Sequence, residues 1–252
     1  MKRGGSVAAV VLVLAATGCA SSGQTTARRP PAEAAEAAAA LPLAIRWVRD
    51  SAEYRAAAVQ AYRMAAQRVD VLGTSMPPGK WAVSLDADET VLDNSRYQKE
   101  RAAAGQPFTA ESWREWIARK AAPAIPGAPA FLRRVKEMGG RIVIVTNRTQ
   151  AECPDTEANF RALELPFDAM LCRADGGPSE KEARYDAVSA GTAVPGMGPL
   201  EIVLWVGDNI QDFPQQRQEM RKAGEGAFTE FGGRFIIIPN PMYGSWERNS
   251  AE

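Results

Sequence analysis

The chain has 252 residues, thirty Lys plus Arg against thirty Asp plus Glu, and 46% apolar side chains. Balanced charge denies it the basic field that a nucleic acid polymer requires, and the apolar content suits a globular protein rather than a disordered or multi-span one. Histidine is absent, which excludes Ser-His-Asp hydrolysis, phosphohistidine chemistry and His-ligated zinc, so any acid or base must be Asp, Glu, Lys, Tyr or Cys.

Lys2 and Arg3 precede the apolar run Val7 to Ala16, which is too short to cross a bilayer and has the length of a secretory h-region. Ala16-Thr17-Gly18-Cys19 follows and resembles the lipobox of bacterial lipoproteins. The resemblance implies that residues 1–18 are a signal peptide and that Cys19 is lipidated, anchoring the chain to a membrane; an ordinary signal with an incidental Cys is the alternative. Loss of Lys2 and Arg3 leaves twenty-eight cations against thirty anions, a mature charge of −2. Ala20 at the second mature position implies, by the same likeness, an outer-membrane destination in a Gram-negative envelope. Residues 20–40 hold no Val, Leu, Ile or aromatic side chain, so 19–41 reads as a flexible tether. Residues 42–252 are left as the folded domain.

Within that domain, Trp47, Val48, Tyr54, Ala58, Tyr62, Ala65 and Val69 recur at helical spacing, a helical lead-in over 45–71 with Ser51 as N-cap. Five short apolar runs follow, at Trp81–Leu85, Arg141–Val145, Ala169–Leu171, Glu201–Val206 and Arg234–Ile238. Helical signals separate most of them. One runs from Ala130 to Met138 and stops at Gly139-Gly140, another opens at Pro154, and Ser179 with Glu182 spells a capping box. Strands alternating with helices predict an α/β fold, a Rossmann-like parallel sheet with helices on both faces. The long stretch 86–140 exceeds one crossover; its helix from Thr109 to Lys120, carrying Trp113 and Trp116, predicts a small helical cap inserted at about 94–128.

In open α/β sheets ligands bind beyond the carboxyl ends of the strands. There the sequence offers Asp86-Ala87-Asp88-Glu89-Thr90, Thr146-Asn147-Arg148, Ser179-Glu180-Lys181 and Gly207-Asp208-Asn209-Ile210-Gln211-Asp212. Asp86, Asp88 and Asp208 would repel one another without a hard cation between them, and oxygen ligands suit Mg²⁺. Lys181 in the first turn of a helix opposes the macrodipole unless an anion compensates it.

These four segments resemble the motifs of the haloacid dehalogenase superfamily. Asp86-x-Asp88-x-Thr90 fits motif I, Thr146 motif II, Lys181 motif III and Gly207-Asp208-x-x-x-Asp212 motif IV. The longer matches Asp86-Ala87-Asp88-Glu89-Thr90-Val91-Leu92-Asp93-Asn94-Ser95 and Pro239-Asn240-Pro241-Met242-Tyr243-Gly244-Ser245-Trp246-Glu247 are similar to the class C acid phosphatases, bacterial lipoprotein phosphatases that act as 5′-nucleotidases. The likeness implies a phosphomonoester hydrolase in which Asp86 is the nucleophile and Asp88 the general acid and base. Mg²⁺ would be held by Asp86, the Asp88 main-chain carbonyl and Asp208, with Thr146 and Lys181 binding phosphoryl oxygens and Asp212 steadying Lys181 or a metal-bound water. It further implies an acidic optimum. Asn147, Tyr97, Trp113 and Tyr243 are the expected substrate-binding residues, the rings stacking on a nucleobase or nicotinamide; packing of the cap onto the core is an equal reading for Trp113.

Cys153 and Cys172 are either bridged or two buried thiols. Three rival readings stand. Asp86-Ala87-Asp88 also fits the metal-binding pattern of glycosyltransferases; the chain could bind nucleotide or haem without turnover; or the phosphoryl group could pass to an alcohol instead of water. A homodimer is compatible with the sequence.

Overall fold

A computed structural model describes residues 41–250; Cys19, residues 1–18 and all but the end of the tether lie outside the described residues. The helical lead-in is two helices, α1 (Leu43–Asp50) and α2 (Ala52–Gly73), because Ser51 leaves helical geometry. Its hydroxyl accepts the Tyr54 N–H and so caps the second helix, the local bond that serine N-caps supply.

The remaining elements alternate as the sequence predicts. They are β1 (Trp81–Leu85), α3 (Ser95–Ala103), α4 (Ala110–Ala118), α5 (Ala128–Glu137), β2 (Arg141–Thr149), α6 (Cys153–Ala162), β3 (Ala169–Arg173), α7 (Glu182–Ala190), β4 (Glu201–Gly207) and β5 (Phe235–Ile237). The five strands pair in the order β3-β2-β1-β4-β5, all parallel. Chain direction along the sheet reverses at β1, and there the carboxyl ends open a crevice.

Both sheet faces are buried, which accounts for runs without polar alternation. Trp81, Val83 and Leu85 of β1, with Ile142 and Ile144 of β2, face one core beneath α2 and α5. Ala82, Val143, Val145 and Trp205 face the other, against Tyr185 and Val188 of α7. Each fully buried aliphatic or aromatic side chain contributes about 1.5–3 kcal/mol. The register between β1 and β4 slips at Ala82/Val83, a bulge that turns both Val203 and Leu204 toward the first core.

The cap is anchored rather than loose. Leu92 bridges Ala124, Ile125 N–H donates to Val91 C=O, and Gly127, at φ 97°, caps α5 where a Cβ would meet Tyr62 at 2.8 Å. Cys153 and Cys172 form a disulfide, with Cα atoms 6.1 Å apart, joining the start of α6 to β3. One correction concerns α7: Lys181 is its N-cap and makes no side-chain cap, so the Ser179/Glu182 box does not form. The Glu182 carboxylate is drawn instead to Arg217 Nη2 at 2.8 Å.

At the opposite end of the sheet, Asp168 accepts from Lys136 Nζ, Arg141 Nη1 and the Ile142 N–H, each within 2.8 Å. Burial raises its carboxyl pKa, but these donors outweigh burial and hold it below the usual value. A depressed carboxyl pKa stabilises the fold above the unfolded-state value of about 4 and loses that contribution as pH falls through the native one. Asp168→Asn is therefore expected to cost about 1–3 kcal/mol at neutral pH, with the gap from wild type narrowing in acid; urea unfolding at two pH values measures both.

Candidate active site

Asp86 follows β1 directly, its N–H donating to Val206 C=O of β4 at 3.0 Å, so the side chain projects from the sheet edge. Asp208 follows β4, and Asp212 returns one turn later on a 3-10 turn, Ile210–Asp212. One oxygen from each of Asp86, Asp208 and Asp212 lies within 4.8 Å of the others. The approach of Asp212 depends on Gly207, where a Cβ would stand 2.3 Å from that of Asp212.

Lys181 closes the cluster from the start of α7. Its Nζ is 2.5 Å from Asp86 Oδ1 and 2.7 Å from Asp212 Oδ1, and only 2% of its side chain is exposed. Burial alone would drive the ammonium toward its neutral form, yet Asp212 and Asp86 hold its pKa above the ordinary lysine value. The anion that offsets its place at a helix start is thus a pair of carboxylates within the chain. Burial pushes Asp86 up to about 7, with Lys181 pulling down and Asp212 and Asp88 pushing back. Asp208 is raised further, by burial and then by Asp212 and Asp86. Three carboxylates against one ammonium leave the cluster two positive charges short, and an all-oxygen donor set of this kind fits a hard divalent cation.

Thr90 Oγ1 donates to Asp208 Oδ1 at 3.1 Å and Asn240 Nδ2 to Oδ2 at 2.8 Å, holding that carboxylate from both sides. Thr146 is fully buried at the end of β2, and its Oγ1 accepts the Arg148 N–H at 3.1 Å, leaving the hydroxyl proton to donate elsewhere.

The Asp88 side chain turns away from this cluster. Its Oδ1 accepts from Arg148 Nη2 at 2.7 Å, Arg148 Nε at 3.0 Å and Asn94 Nδ2 at 2.8 Å, while Oδ2 takes one longer contact of 3.2 Å. Oδ2 is therefore the less engaged of the two oxygens. The ligand expected of Asp88 is its main-chain carbonyl, which this engagement of its side chain leaves unaffected, and Asp212 lies with Asp86 and Asp208 in the carboxylate group.

The cleft above these residues has a volume of about 600 Å³ and is lined by Asp86, Asp88, Asp208, Trp113, Asn147 and Tyr243 among others. Trp113 packs beneath the Arg148 guanidinium, 5.5 Å from ring centroid to Cζ. Asn147 Oδ1 accepts from Arg184 Nη2 at 2.7 Å. The expectation for Tyr97 needs correcting: it is 3% exposed, hydrogen-bonds Ser112 and meets Trp113 edge-on at 5.1 Å. It backs the tryptophan rather than lining the cleft, since a helix of the cap lies over it. Phe108, which no motif marked, is exposed at the rim and packs on both rings.

Arg148, Asn94, Glu89 and Asn240 also escaped sequence reasoning as site residues. All four stood inside segments already singled out, but Arg148 and Asn240 have partners 60 and 32 residues away, and only position relative to Asp88 and Asp208 reveals the four as one group.

A family model described as HAD superfamily, subfamily IIIB (acid phosphatase), matches residues 6–246. Among solved structures, the class C acid phosphatase of Bacillus anthracis aligns with a TM-score of 0.71 and 31% identity, covering 81% of this chain and 85% of that one. The same enzyme with tungstate bound gives a TM-score of 0.71 at 30% identity over the same shares. A curated relative, the stem 28 kDa glycoprotein of Glycine max, is 24% identical over 168 residues, 66% of this chain and 60% of its own length.

Because Gly207 leaves no room for a methyl group, Gly207→Ala must push Asp212 off Lys181. The substitution is expected to lower stability by about 1–3 kcal/mol, read as a drop in thermal midpoint, whereas Gly226→Ala, where a Cβ meets nothing, leaves it within experimental scatter.

Proposed function

The chain belongs to the acid phosphatases of HAD superfamily subfamily IIIB, and from that premise we propose that it hydrolyses phosphomonoesters, nucleoside 5′-monophosphates first among them, through an aspartyl-phosphate on Asp86 with Mg²⁺ as cofactor. The observation that carries the reading is Lys181 held between Asp86 and Asp212 beside Asp208, a buried cluster short of positive charge at the end of a cleft. It argues against the glycosyltransferase reading, which gives Lys181 and Asp208 no part.

Asp86 attacks phosphorus in line as the bond to the leaving oxygen breaks, and Asp88 Oδ2 delivers its proton to that oxygen. In the second half Asp88 takes a proton from water, the water oxygen bonds to phosphorus, and Asp86 is released as a free carboxylate. Arg148 and Asn94 keep Asp88 aimed through both halves. Lys181 and the Thr146 hydroxyl donate to the phosphoryl oxygens, whose charge grows toward the transition state. Asp86, Asp208 and the Asp88 main-chain carbonyl would hold the cation, which supplies charge neutralisation at the phosphoryl group when bound. Trp113 and Tyr243 both line the cleft and offer aromatic surface for a flat base, and stacking of this kind tolerates every base because each has a π face.

The chain is further read as lipid-anchored through Cys19 at the cell envelope, with its catalytic domain standing on a tether.

Phosphate release from a nucleotide panel, with and without magnesium, tests the core of the proposal. Removal of the cation by chelator is expected to abolish turnover and its return to restore it; Asp86→Asn should lose activity by at least about 10³-fold. Equal efficiency on nucleotides and on glycerol phosphate would dismiss the aromatic clamp.

Since the first step uses Asp88 in its protonated form, the rate is expected to peak in acid; a rate flat from about pH 5 to 8 counts against Asp88 as general acid. Cation affinity should run the other way. Burial holds the carboxyls of both Asp86, at about 7, and Asp208 above their usual values, so magnesium binding, measured by calorimetry, is expected to tighten as pH rises through neutrality.

A further inference from the structure

Two fully buried polar side chains do more than the mechanism asks of them: it uses Asn94 only to hold Asp88, and Glu89 not at all. Asn94 is 0% and Glu89 1% exposed, and Glu89 adopts φ 52°, the left-handed region that a non-glycine residue enters at a cost. Every hydrogen-bonding capacity of the Asn94 amide is engaged. Nδ2 donates to Asp88 Oδ1 at 2.8 Å and to Glu89 Oε2 at 3.2 Å, and Oδ1 accepts from Trp116 Nε1 at 2.8 Å and Arg148 Nη2 at 3.3 Å. Its backbone N–H donates to Glu89 Oε1 at 2.8 Å. Glu89 Oε2 also accepts the Tyr243 hydroxyl.

Two walls of the cleft meet at this amide. Trp116 lies on α4, the helix that presents Trp113 to the cleft, and reaches Asn94 through its indole N–H. Tyr243, on the C-terminal segment, reaches it through Glu89. We propose that Asn94 is a positioning residue that ties the two aromatic walls to the acid–base carboxylate, so that seating of the substrate's ring and aiming of Asp88 are coupled. The inference rests on the phosphomonoesterase reading for its kinetic consequence, not for the coupling itself.

A neutral amide is required at 94 because two carboxylates face its Nδ2. Asn94→Asp substitutes an acceptor for that donor at nearly constant volume, whereas Trp116→Phe deletes the indole N–H while leaving a ring in the core. Neither residue lines the cleft. With a nucleoside 5′-monophosphate and with glycerol phosphate, Asn94→Asp is expected to lower kcat about 100-fold and Trp116→Phe about 10-fold, with KM changed less than about threefold, as misaimed catalytic groups do. Trp113→Ala should do the reverse, raising KM for the nucleotide alone. A loss confined to KM, or wild-type kcat in both Asn94→Asp and Trp116→Phe, would overturn the proposal.

A second measurement needs no turnover. Trp116→Phe and Tyr243→Phe each cut one arm of the network, and independent sites multiply their effects on the unfolding equilibrium constant. The double variant should depart from that product by about threefold or more, and a plain product sinks the coupling. A wild-type protein inactive on both esters removes the hydrolase reading, and the unfolding cycle then decides the coupling alone.

Discussion

One buried ammonium among three carboxylates sets the terms for the rest of this structure. Lys181, Asp86, Asp208 and Asp212 come from three separate junctions that follow strands, and like charges so close are tolerable only where opposite charge offsets their repulsion, which Lys181 supplies directly to Asp86 and Asp212. A parallel sheet meets that demand, because its carboxyl ends all point one way and bring sequence-distant loops into one crevice. The bare Cα of Gly207 lets Asp212 come close. What lies behind is accordingly rigid: both sheet faces are packed with apolar side chains, and the disulfide ties β3 to the helix that follows motif II.

The incomplete charge balance has a chemical use. A cluster that lacks two positive charges is suited to a divalent ion, and in the proposed reaction that ion would also meet the charge of an incoming phosphoryl group. Asp88 sits outside that field, paired with Arg148 and Asn94 instead of Lys181. Two carboxylates two residues apart are thereby given unlike surroundings, one aimed at the cation cluster and one at a guanidinium and an amide. Under the proposed mechanism, separation of that kind would let one carboxyl serve as nucleophile while its neighbour handles protons.

Much of this was legible in the sequence. Apolar runs in a domain with both sheet faces covered, caps such as Ser51, and short motifs after each strand are local signals, and they located β1 to the residue and the motif loops without alignment. Tyr97 misled because an aromatic near a motif looks the same whether it lines a cleft or backs one; only the fold of the cap over it distinguishes the two. Ser179 and Glu182 carried a sound capping pattern that lost to a tertiary ion pair with Arg217. Arg148 was hidden for a related reason: its partner Asp88 is 60 residues away, a range that neither periodicity nor spacing registers. Asn94, though near Asp88 and Glu89 along the chain, takes its remaining bonds from Trp116 and Arg148, 22 and 54 residues away.

The choice of an amide at position 94 follows from the electrostatics already on this side of the sheet. Glu89, driven well above the usual carboxyl pKa by burial and by Asp88 and Asp208, needs a donor that brings no further charge. A lysine or arginine in place of Asn94 would compete with Arg148 for Asp88; an acid would add a sixth carboxylate to Asp86, Asp88, Glu89, Asp208 and Asp212. A hydroxyl is too short to span the distance between Asp88 and the Trp116 indole. A side-chain amide supplies two donors and two acceptors in one plane without charge, and at Asn94 four neighbours use all of them. A fully satisfied buried network of this sort rigidifies its members, so the strain Glu89 carries in its backbone is held in place by the contacts that define the aim of Asp88.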